Sequence, residues 1–329
     1  MIGGRKMYKF TPILKNTIWG GTKIAPFKNI QTNLRKVGES WEISDVPSSE
    51  SHVRNGSLSG RSIHSLVTEY GAVLLGKKVL ERYGAELPLL VKFIDAASDL
   101  SVQVHPDDVL ARQRHDSLGK TEMWYVMRAE PGASLLCGFK EKVSREEYER
   151  RVEDGSIIDV LARHEVKAGD VFFIPAGRVH AICRGIMVCE IQQSSDITYR
   201  IFDYHRLGLD GKPRQLHTHE ALDAIDFNVY PDYRTHYGAP VAGAATLVDC
   251  DKFVVNLLAT SCSVSRHLLG EDSFVTLSCL QGTAVITDCE GNSISLKTGF
   301  SCLIPAVLAD FTVASADGNE VRLLEAWAR

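Results

Sequence analysis

Short apolar runs, cut by Gly, Pro, Asp and Asn, occupy most of the chain, and inside several of them apolar and polar residues alternate. A strand turns successive side chains to opposite faces, so this pattern is the signature of an all-β sandwich or barrel. It predicts strands at 89–96 (LLVKFIDA), 100–105 (LSVQVH), 122–129 (EMWYVMRA), 134–139 (SLLCGF), 171–175 (VFFIP) and 186–192 (IMVCEIQ). Three other segments, 60–75, 144–163 and 218–225, read as helices. Ser144 and Glu147 form a capping box ahead of the second, which Gly155 interrupts, and Thr218 is the expected cap of the third. The stretch NVYPDYRTHYGAPVAGAA at 228–245 reads as a linker, and 246–329 is strand-like throughout. The chain is therefore expected to be mostly β: two jelly-roll β-barrel units, 1–237 and 238–329, with a few helices packed outside.

One stretch has an internal echo. GDVFFIPAG at 169–177 recurs as GFSCLIPAV at 299–307, each an apolar strand running into Ile-Pro-Ala. In the second copy Val307 stands for Gly177 and Asp310 for His180, so two related barrels are expected, of which the first alone kept its histidine.

Composition narrows the class. With 329 residues, 44% of them hydrophobic and 24% charged, the chain is an ordinary globular one with room for more than one core. A net charge of −4 and the lack of an arginine-rich run argue against a nucleic-acid partner. No stretch approaches the ~20 apolar residues that span a bilayer, and MIGGRKMYKFTPIL lacks the apolar core of a signal peptide. Met7 is a candidate start, with residues 1–6 a loose extension. The eight cysteines form no C-x-x-C pair and most fall in strand-like runs. They read as reduced core residues of a cytoplasmic protein, not as a disulfide framework or zinc ribbon.

The candidate chemistry gathers at GDVFFIPAGRVHAI, residues 169–182. Pro175 ends a strand, Gly177 permits a turn with positive φ, and His180 begins the return strand pointing into the barrel. Gly169, Pro175, Gly177 and His180 match the second sequence motif of the cupin superfamily. Taken alone, His180 reads equally well as a hydrogen-bonded core histidine. In LSVQVHPDD, period two places Gln103 and His105 on one face, where both reach one ion, and Pro106 ends the strand. Glu122, in GKTEMWYV, is a third candidate. Two imidazoles, a carboxylate and an amide oxygen suit zinc, with manganese, iron or cobalt also compatible. His217 and His219 look like another metal pair, but they follow the Pro-x-Gly turn and open a helix, so they read as surface or capping residues.

QVHPDD, GKTEMWYV, GDVFFIPAGRVHAI and DITYRIFDY (196–204), with IWGG, GESWEIS and PLLVKFIDA upstream, together resemble type I mannose-6-phosphate isomerase in its short bacterial form. The resemblance covers essentially the whole chain. It implies a cupin-type zinc aldose–ketose isomerase acting on a sugar phosphate, with one Zn2+ per chain, as a monomer or homodimer. By position Gln103, His105, Glu122 and His180 match the family's zinc ligands. Arg200 matches its catalytic arginine, and Lys92, Lys120 and Glu190 match polar residues of its pocket. Two departures stand out: only 140–166 replaces the helical insert of longer members, and the C-terminal unit lacks every ligand position.

The residues themselves are compatible with that chemistry. Moving a carbonyl between C1 and C2 needs a base for a carbon-bound proton and positive charge for the developing oxyanion. Arg200 stays protonated at any working pH. Glu190 shares a strand face with Val188 and Gln192, a face that is either pocket or surface. Lys92 interrupts an apolar strand, which favours a polar cavity over an edge position. Lys120 reads as a pocket residue or a solvated loop lysine, and Trp19 and Trp41 as core or pocket wall. Two other functions fit the same scaffold: a metal-dependent cupin dioxygenase, which Gln103 in place of a histidine argues against, and a non-catalytic sugar-phosphate-binding protein.

Overall fold

In a computed structural model that describes residues 4–241 and 243–329, the apolar runs assemble into antiparallel sheets paired as two barrels. Residues 1–3 of the proposed N-terminal extension and position 242 of the proposed linker lie outside the described residues. The first barrel has a seven-stranded sheet in the order Arg234–Thr235, Val171–Ile174, Glu122–Ala129, Ile186–Gln193, Leu89–Ala96, Glu39–Ile43, Ile13–Lys15. Facing it is a five-stranded sheet: Tyr199–Phe202, Val102–Val104, His180–Ile182, Ser134–Phe139, Leu161–Glu165. Trp124, Val126, Phe172, Ile182 and Val188 fill the barrel between them. The second barrel repeats the plan. Its seven-stranded sheet runs Ala244–Asp249, Phe253–Thr260, Val321–Ala328, Val275–Gln281, Ser301–Ile304, Tyr8–Thr11, His52–Val53. Its four-stranded sheet runs Val264–His267, Asp310–Ser315, Thr283–Asp288, Ser293–Lys297.

The register makes the repeat specific. Glu122 lies opposite Ile174, and Val275 opposite Ile304. His180 lies opposite Gln103, and Asp310 opposite His267. Glu190 sits between Lys92 and Trp124, and Glu325 between Asn256 and Leu277. Val275, His267 and Asp310 thus stand where the first barrel has Glu122, Gln103 and His180. Glu325 is buried and closed off, accepting hydrogen bonds from Arg266 at 2.8 and 2.7 Å and from Asn256 at 2.9 Å. The strand Tyr199–Phe202, which carries Arg200, has no counterpart in the second barrel among the described residues.

We keep the two-unit division at 237/238 as a proposal, with one exchange. Tyr8–Thr11 pairs with Ser301–Ile304 of the second barrel, while Arg234–Thr235 takes the matching edge of the first. Edge pairing of this kind joins residues far apart in sequence, and the local pattern YKFT does not reveal which edge it will meet. Other elements differ from the sequence reading in detail. The second helix ends at Glu153, and Leu161–Glu165 is a strand, because Gly155 adopts φ +79° and breaks the helix. The Ser144 hydroxyl does cap that helix, accepting from the Glu147 N–H, but the Glu147 carboxylate turns to Arg151 at 2.8 Å. Thr218 is the first helical residue and His217 the cap position, without a side-chain cap bond. Asp108–His115, capped by Asp107, is a helix the apolar pattern missed because its residues are mostly polar. Cys137, Cys183, Cys189, Cys279 and Cys302 are buried free thiols, whereas Cys262 and Cys289 are exposed. No helix among the described residues is long and apolar enough to cross a membrane.

A buried ion pair fastens the two barrels. The Lys28 ammonium donates to Glu42 at 2.6 Å and to the Gly299 carbonyl of the second barrel, and Ser40 donates to the same Glu42 oxygen at 2.6 Å. Burial holds Lys28 below its ordinary value and Glu42 above its own. Glu42→Ala leaves the ammonium buried without its anion and is expected to cost about 3–5 kcal/mol in equilibrium denaturation. Replacing both partners, Lys28→Met with Glu42→Leu, is expected to recover most of that loss. A double variant as unstable as the single one rules out this account.

Candidate active site

The chain reversal that carries His180 depends on one glycine. Pro175 follows the strand Val171–Ile174, and Gly177 adopts φ +90° with its N–H donating to the His105 carbonyl at 2.9 Å. A Cβ there would meet the Ala224 carbonyl at 2.9 Å, so a side chain is excluded on both conformational and steric grounds. His180 then opens the strand His180–Ile182, directly across from Gln103. The Gln103 amide lies 3.2 Å from His180 Nε2, and a half-turn of that amide puts its oxygen in the same place. Glu122 reaches in from the opposite sheet, as the first residue of Glu122–Ala129.

His105, Glu122 and His180 converge, with ligand-type atoms of all three within 4.8 Å of one another. His180 Nε2 is 3.2 Å from Glu122 Oε1, and His105 Nε2 is 3.5 Å from Glu122 Oε2. The other nitrogen of each ring faces a carbonyl: His105 Nδ1 that of Ile197 at 2.9 Å, His180 Nδ1 that of Arg178 at 2.8 Å. A carbonyl only accepts, so each Nδ1 carries the proton and each Nε2 presents a lone pair toward the carboxylate. Burial, with the Lys120 charge, pushes His105 well below its ordinary value and takes His180 down to about 3, so both rings are neutral. Burial also pushes Glu122 up to about 7, Glu190 adding to the shift and Lys120 and Lys92 opposing it. Neither Glu122 oxygen receives a hydrogen bond from the described residues. The Lys120 ammonium, 3.0 Å from His105 Nε2 and 3.2 Å from Glu122 Oε2, answers one side of this cluster; on the other, the His180 Nε2 lone pair and Glu122 Oε1 face each other at 3.2 Å and repel unless a cation stands between them. The donor set of this structure fits a divalent metal.

Around that cluster the structure brings together the other residues singled out in the sequence. Lys120 is buried, with Nζ 3.0 Å from His105 Nε2 and 3.2 Å from Glu122 Oε2. Lys92 is buried too, 3.2 Å from Glu190 Oε1 and donating to Gln192 at 2.7 Å. Burial alone would lower Lys92 and raise Glu190; their mutual attraction reverses both, raising Lys92 and holding Glu190 below the usual carboxylate range, with Lys120 helping the latter. The Trp124 N–H donates to Glu190 Oε2 at 2.8 Å. Arg200, half-buried, lies opposite Gln103 and donates to the Gln215 carbonyl at 2.9 Å. Its buried Nε has no hydrogen-bond partner among the described residues.

Lys92, Gln103, Lys120, Trp124, Glu190 and Arg200 line one cavity of about 180 Å³, together with Trp19, Trp41 and Arg214. Glu190 and Lys92 therefore face a pocket, not solvent, and Lys120 is a pocket residue. His217 is neither a ligand nor a plain surface residue: its Nδ1 accepts the Arg200 N–H at 3.1 Å, and its own N–H donates to the Arg200 carbonyl at 2.7 Å. His219 is exposed. Sequence reasoning missed Trp124, Gln192 and Arg214. Trp124 and Gln192 were legible in principle, being two residues along the same face from Glu122 and Glu190. Arg214 lies outside any strand or helix and left no periodic signal; it pairs with Asp203 through two bonds of 2.7 and 2.6 Å.

Comparison with known proteins agrees over most of the chain. The family model for phosphomannose isomerase type I, catalytic domain, matches residues 7–132, and that for mannose-6-phosphate isomerase, cupin domain, matches 244–322. Mannose-6-phosphate isomerase ManA of Bacillus subtilis is 35% identical over 311 residues, covering 92% of this chain and 94% of that one. Probable mannose-6-phosphate isomerase GmuF of the same organism is 32% identical over 303 residues, with the same coverage. The crystal structure of the mannose 6-phosphate isomerase from Bacillus subtilis superposes with a TM-score of 0.86 at 30% identity, covering 97% of this chain and 99% of the other.

Proposed function

The chain belongs to the type I phosphomannose isomerases, and on that premise we propose that it interconverts D-mannose 6-phosphate and D-fructose 6-phosphate, using one Zn2+ per chain. Gln103, His105, Glu122 and His180 would hold the ion. The observation that carries this reading is the convergence of His105, Glu122 and His180 within 4.8 Å, with the buried Glu122 carboxylate facing both imidazoles and only Lys120 beside it as a cation. When bound, such an ion supplies Lewis-acid polarisation of the sugar's oxygens.

The chain's own residues do the rest. Lys92 and Trp124 keep the Glu190 carboxylate ionised and oriented, so it can accept the proton from one sugar carbon and return it to the next. Arg200 offers a fixed guanidinium to the oxyanion that develops between those carbons. Lys120, beside the cluster, adds a second positive charge. Trp19 and Trp41 wall the pocket against water. A coupled assay with mannose 6-phosphate should show turnover that a chelator removes and added Zn2+ restores. Full activity in metal-free protein would overturn the zinc assignment, and oxygen uptake instead of isomerisation would favour a dioxygenase.

Metal binding should depend on pH through the carboxylate and not through the histidines. Below about 7 the Glu122 carboxyl of the metal-free protein is protonated, and only its ionised form binds a cation. Zn2+ affinity is expected to fall about tenfold per pH unit below that point, with one proton released per ion bound. Because the folded value lies above the ordinary 4.5, the metal-free fold binds the extra proton between those limits. Its stability therefore decreases as pH rises through that window. Calorimetric titrations in buffers of different ionisation enthalpy count the protons. A midpoint near 4.5, or two protons per ion, contradicts this account.

A further inference from the structure

On the far face of the sheet that carries Glu122 lies a second cavity, of about 510 Å³, where the two barrels meet. Both of its long walls are made by the same irregularity. Between Val126, opposite Val188, and Arg128, opposite Met187, the strand Glu122–Ala129 holds one extra residue, Met127. Between Cys279, opposite Leu323, and Gln281, opposite Arg322, the strand Val275–Gln281 holds Leu280 in the same way. Paired bulges at equivalent points of a duplicated fold re-aim side chains and mark a built feature. Here the effect is chemical. Strict alternation from Trp124 and Val126 would send Arg128 into the barrel; the extra residue sets it opposite Met187, on the outer face with Tyr125. Arg322 enters from the facing barrel.

Of the two guanidiniums, Arg128 has no carboxylate in ion-pair contact among the described residues, and Arg322 pairs with one at its outer edge. Among the described residues Arg128 has no hydrogen bond and no ion pair, and it stands over the Phe27 ring with its guanidinium carbon 5.9 Å from the ring centre. Arg322 has one carboxylate, Glu320 at 2.7 Å, on the exposed surface. Phe27, Met127 and Leu280 give the cavity an apolar floor. Its volume lies in the range of small-molecule sites, roughly 300–1,000 Å³.

We propose that this cavity binds a small organic phosphate with an aromatic or apolar body, separately from the catalytic pocket. The apolar floor takes the body, and two guanidiniums from opposed walls take the phosphate, a dianion whose oxygens can be shared between two planar forks. Alternation along Glu122–Ala129 turns Glu122 and Trp124 into the barrel and Tyr125 to the cavity, so an occupant and a substrate do not compete for space.

The test uses the full-length, metal-loaded protein with AMP and phenyl phosphate as probes, in saturating mannose 6-phosphate to fill the catalytic pocket. Calorimetry or equilibrium dialysis is expected to show one site per chain for at least one probe, with Kd below about 1 mM. Arg128→Ala should weaken that binding about tenfold or more, Arg128→Lys less, and adenosine should not bind. Arg128 is exposed, so Arg128→Ala should fold and keep its kcat within about twofold of wild type. Leu280→Trp, which fills the cavity, should abolish binding. The proposal falls if neither probe binds with a Kd below about 1 mM, if mannose 6-phosphate displaces them, or if Arg128→Ala binds as tightly as wild type.

Discussion

His105→Ala and His180→Ala are each expected to abolish isomerase turnover and to release the metal while leaving the fold standing. Each change deletes a neutral imidazole whose Nε2 faces Glu122 and whose Nδ1 is tied to a backbone carbonyl. Removing a partner outside the ligand set of a metal site costs roughly 10–100-fold in affinity or activity, and deleting a ligand should cost more. The remaining set would be one imidazole, one carboxylate and an amide, too poor to hold zinc at ordinary concentrations. The fold should survive because neither ring contributes the main-chain pairing of its segment. His180 sits in a strand bonded on both sides, and the His105 carbonyl, which accepts from Gly177, is retained. A stability loss of about 1–3 kcal/mol is expected from the vacated space. Elemental analysis decides the matter: stoichiometric metal in both variants would refute the assignment.

Arg200→Lys is expected to lower kcat by about 10²–10³-fold with little change in KM. Arg200 stands across from Gln103, beside the proposed ligand set, and its position is fixed from behind by the Gln215 carbonyl and the His217 ring. Asp203, whose charge raises Arg200 against the burial that lowers it, is already occupied by Arg206 and Arg214. The Arg200 charge is thus left for the reacting group. An interaction made with the developing oxyanion belongs to the transition state and appears in kcat; one made with the phosphate is equal in ground and transition states and appears in KM. Lysine keeps the charge but not the planar fork, so rescue relative to Arg200→Ala should be partial. Arg214 lines the same cavity, paired with Asp203, and is the other candidate for the phosphate. If KM rises alone in Arg200→Lys, the roles are exchanged and the oxyanion is left to the metal.

The degree to which the site could be read in advance follows the range of the interactions that build it. Strand alternation together with Pro106 put Gln103 and His105 on one face, and the Pro175–Gly177 turn marked His180, because each of these is a matter of backbone geometry over a few residues. Glu190 and Lys120 were open. The alternation of 186–192 assigns Glu190 to a face without saying which face is inside; that was decided by its neighbours Lys92 and Trp124 on strands from elsewhere in the chain. Lys120 is buried because its loop is fastened to the 105–108 segment, its N–H donating to the Pro106 carbonyl and that of Gly119 to Asp108, bonds with no local signature.

By itself, then, the sequence determined the class of fold, the duplication, the position of the main strands and the residues able to ligate an ion, since periodicity, turn chemistry and side-chain type are local properties. Only the tertiary structure decided which edge Tyr8–Thr11 would join, which face of Ile186–Gln193 would line the pocket, and that Lys28 and Glu42 would be buried together between the barrels. It alone decided that an extra residue in each of two strands would turn Arg128 out of the barrel to share a cavity with Arg322. Each of these depends on register between segments distant in the chain, and a shift of one residue there moves every side chain to the other face without changing the local pattern.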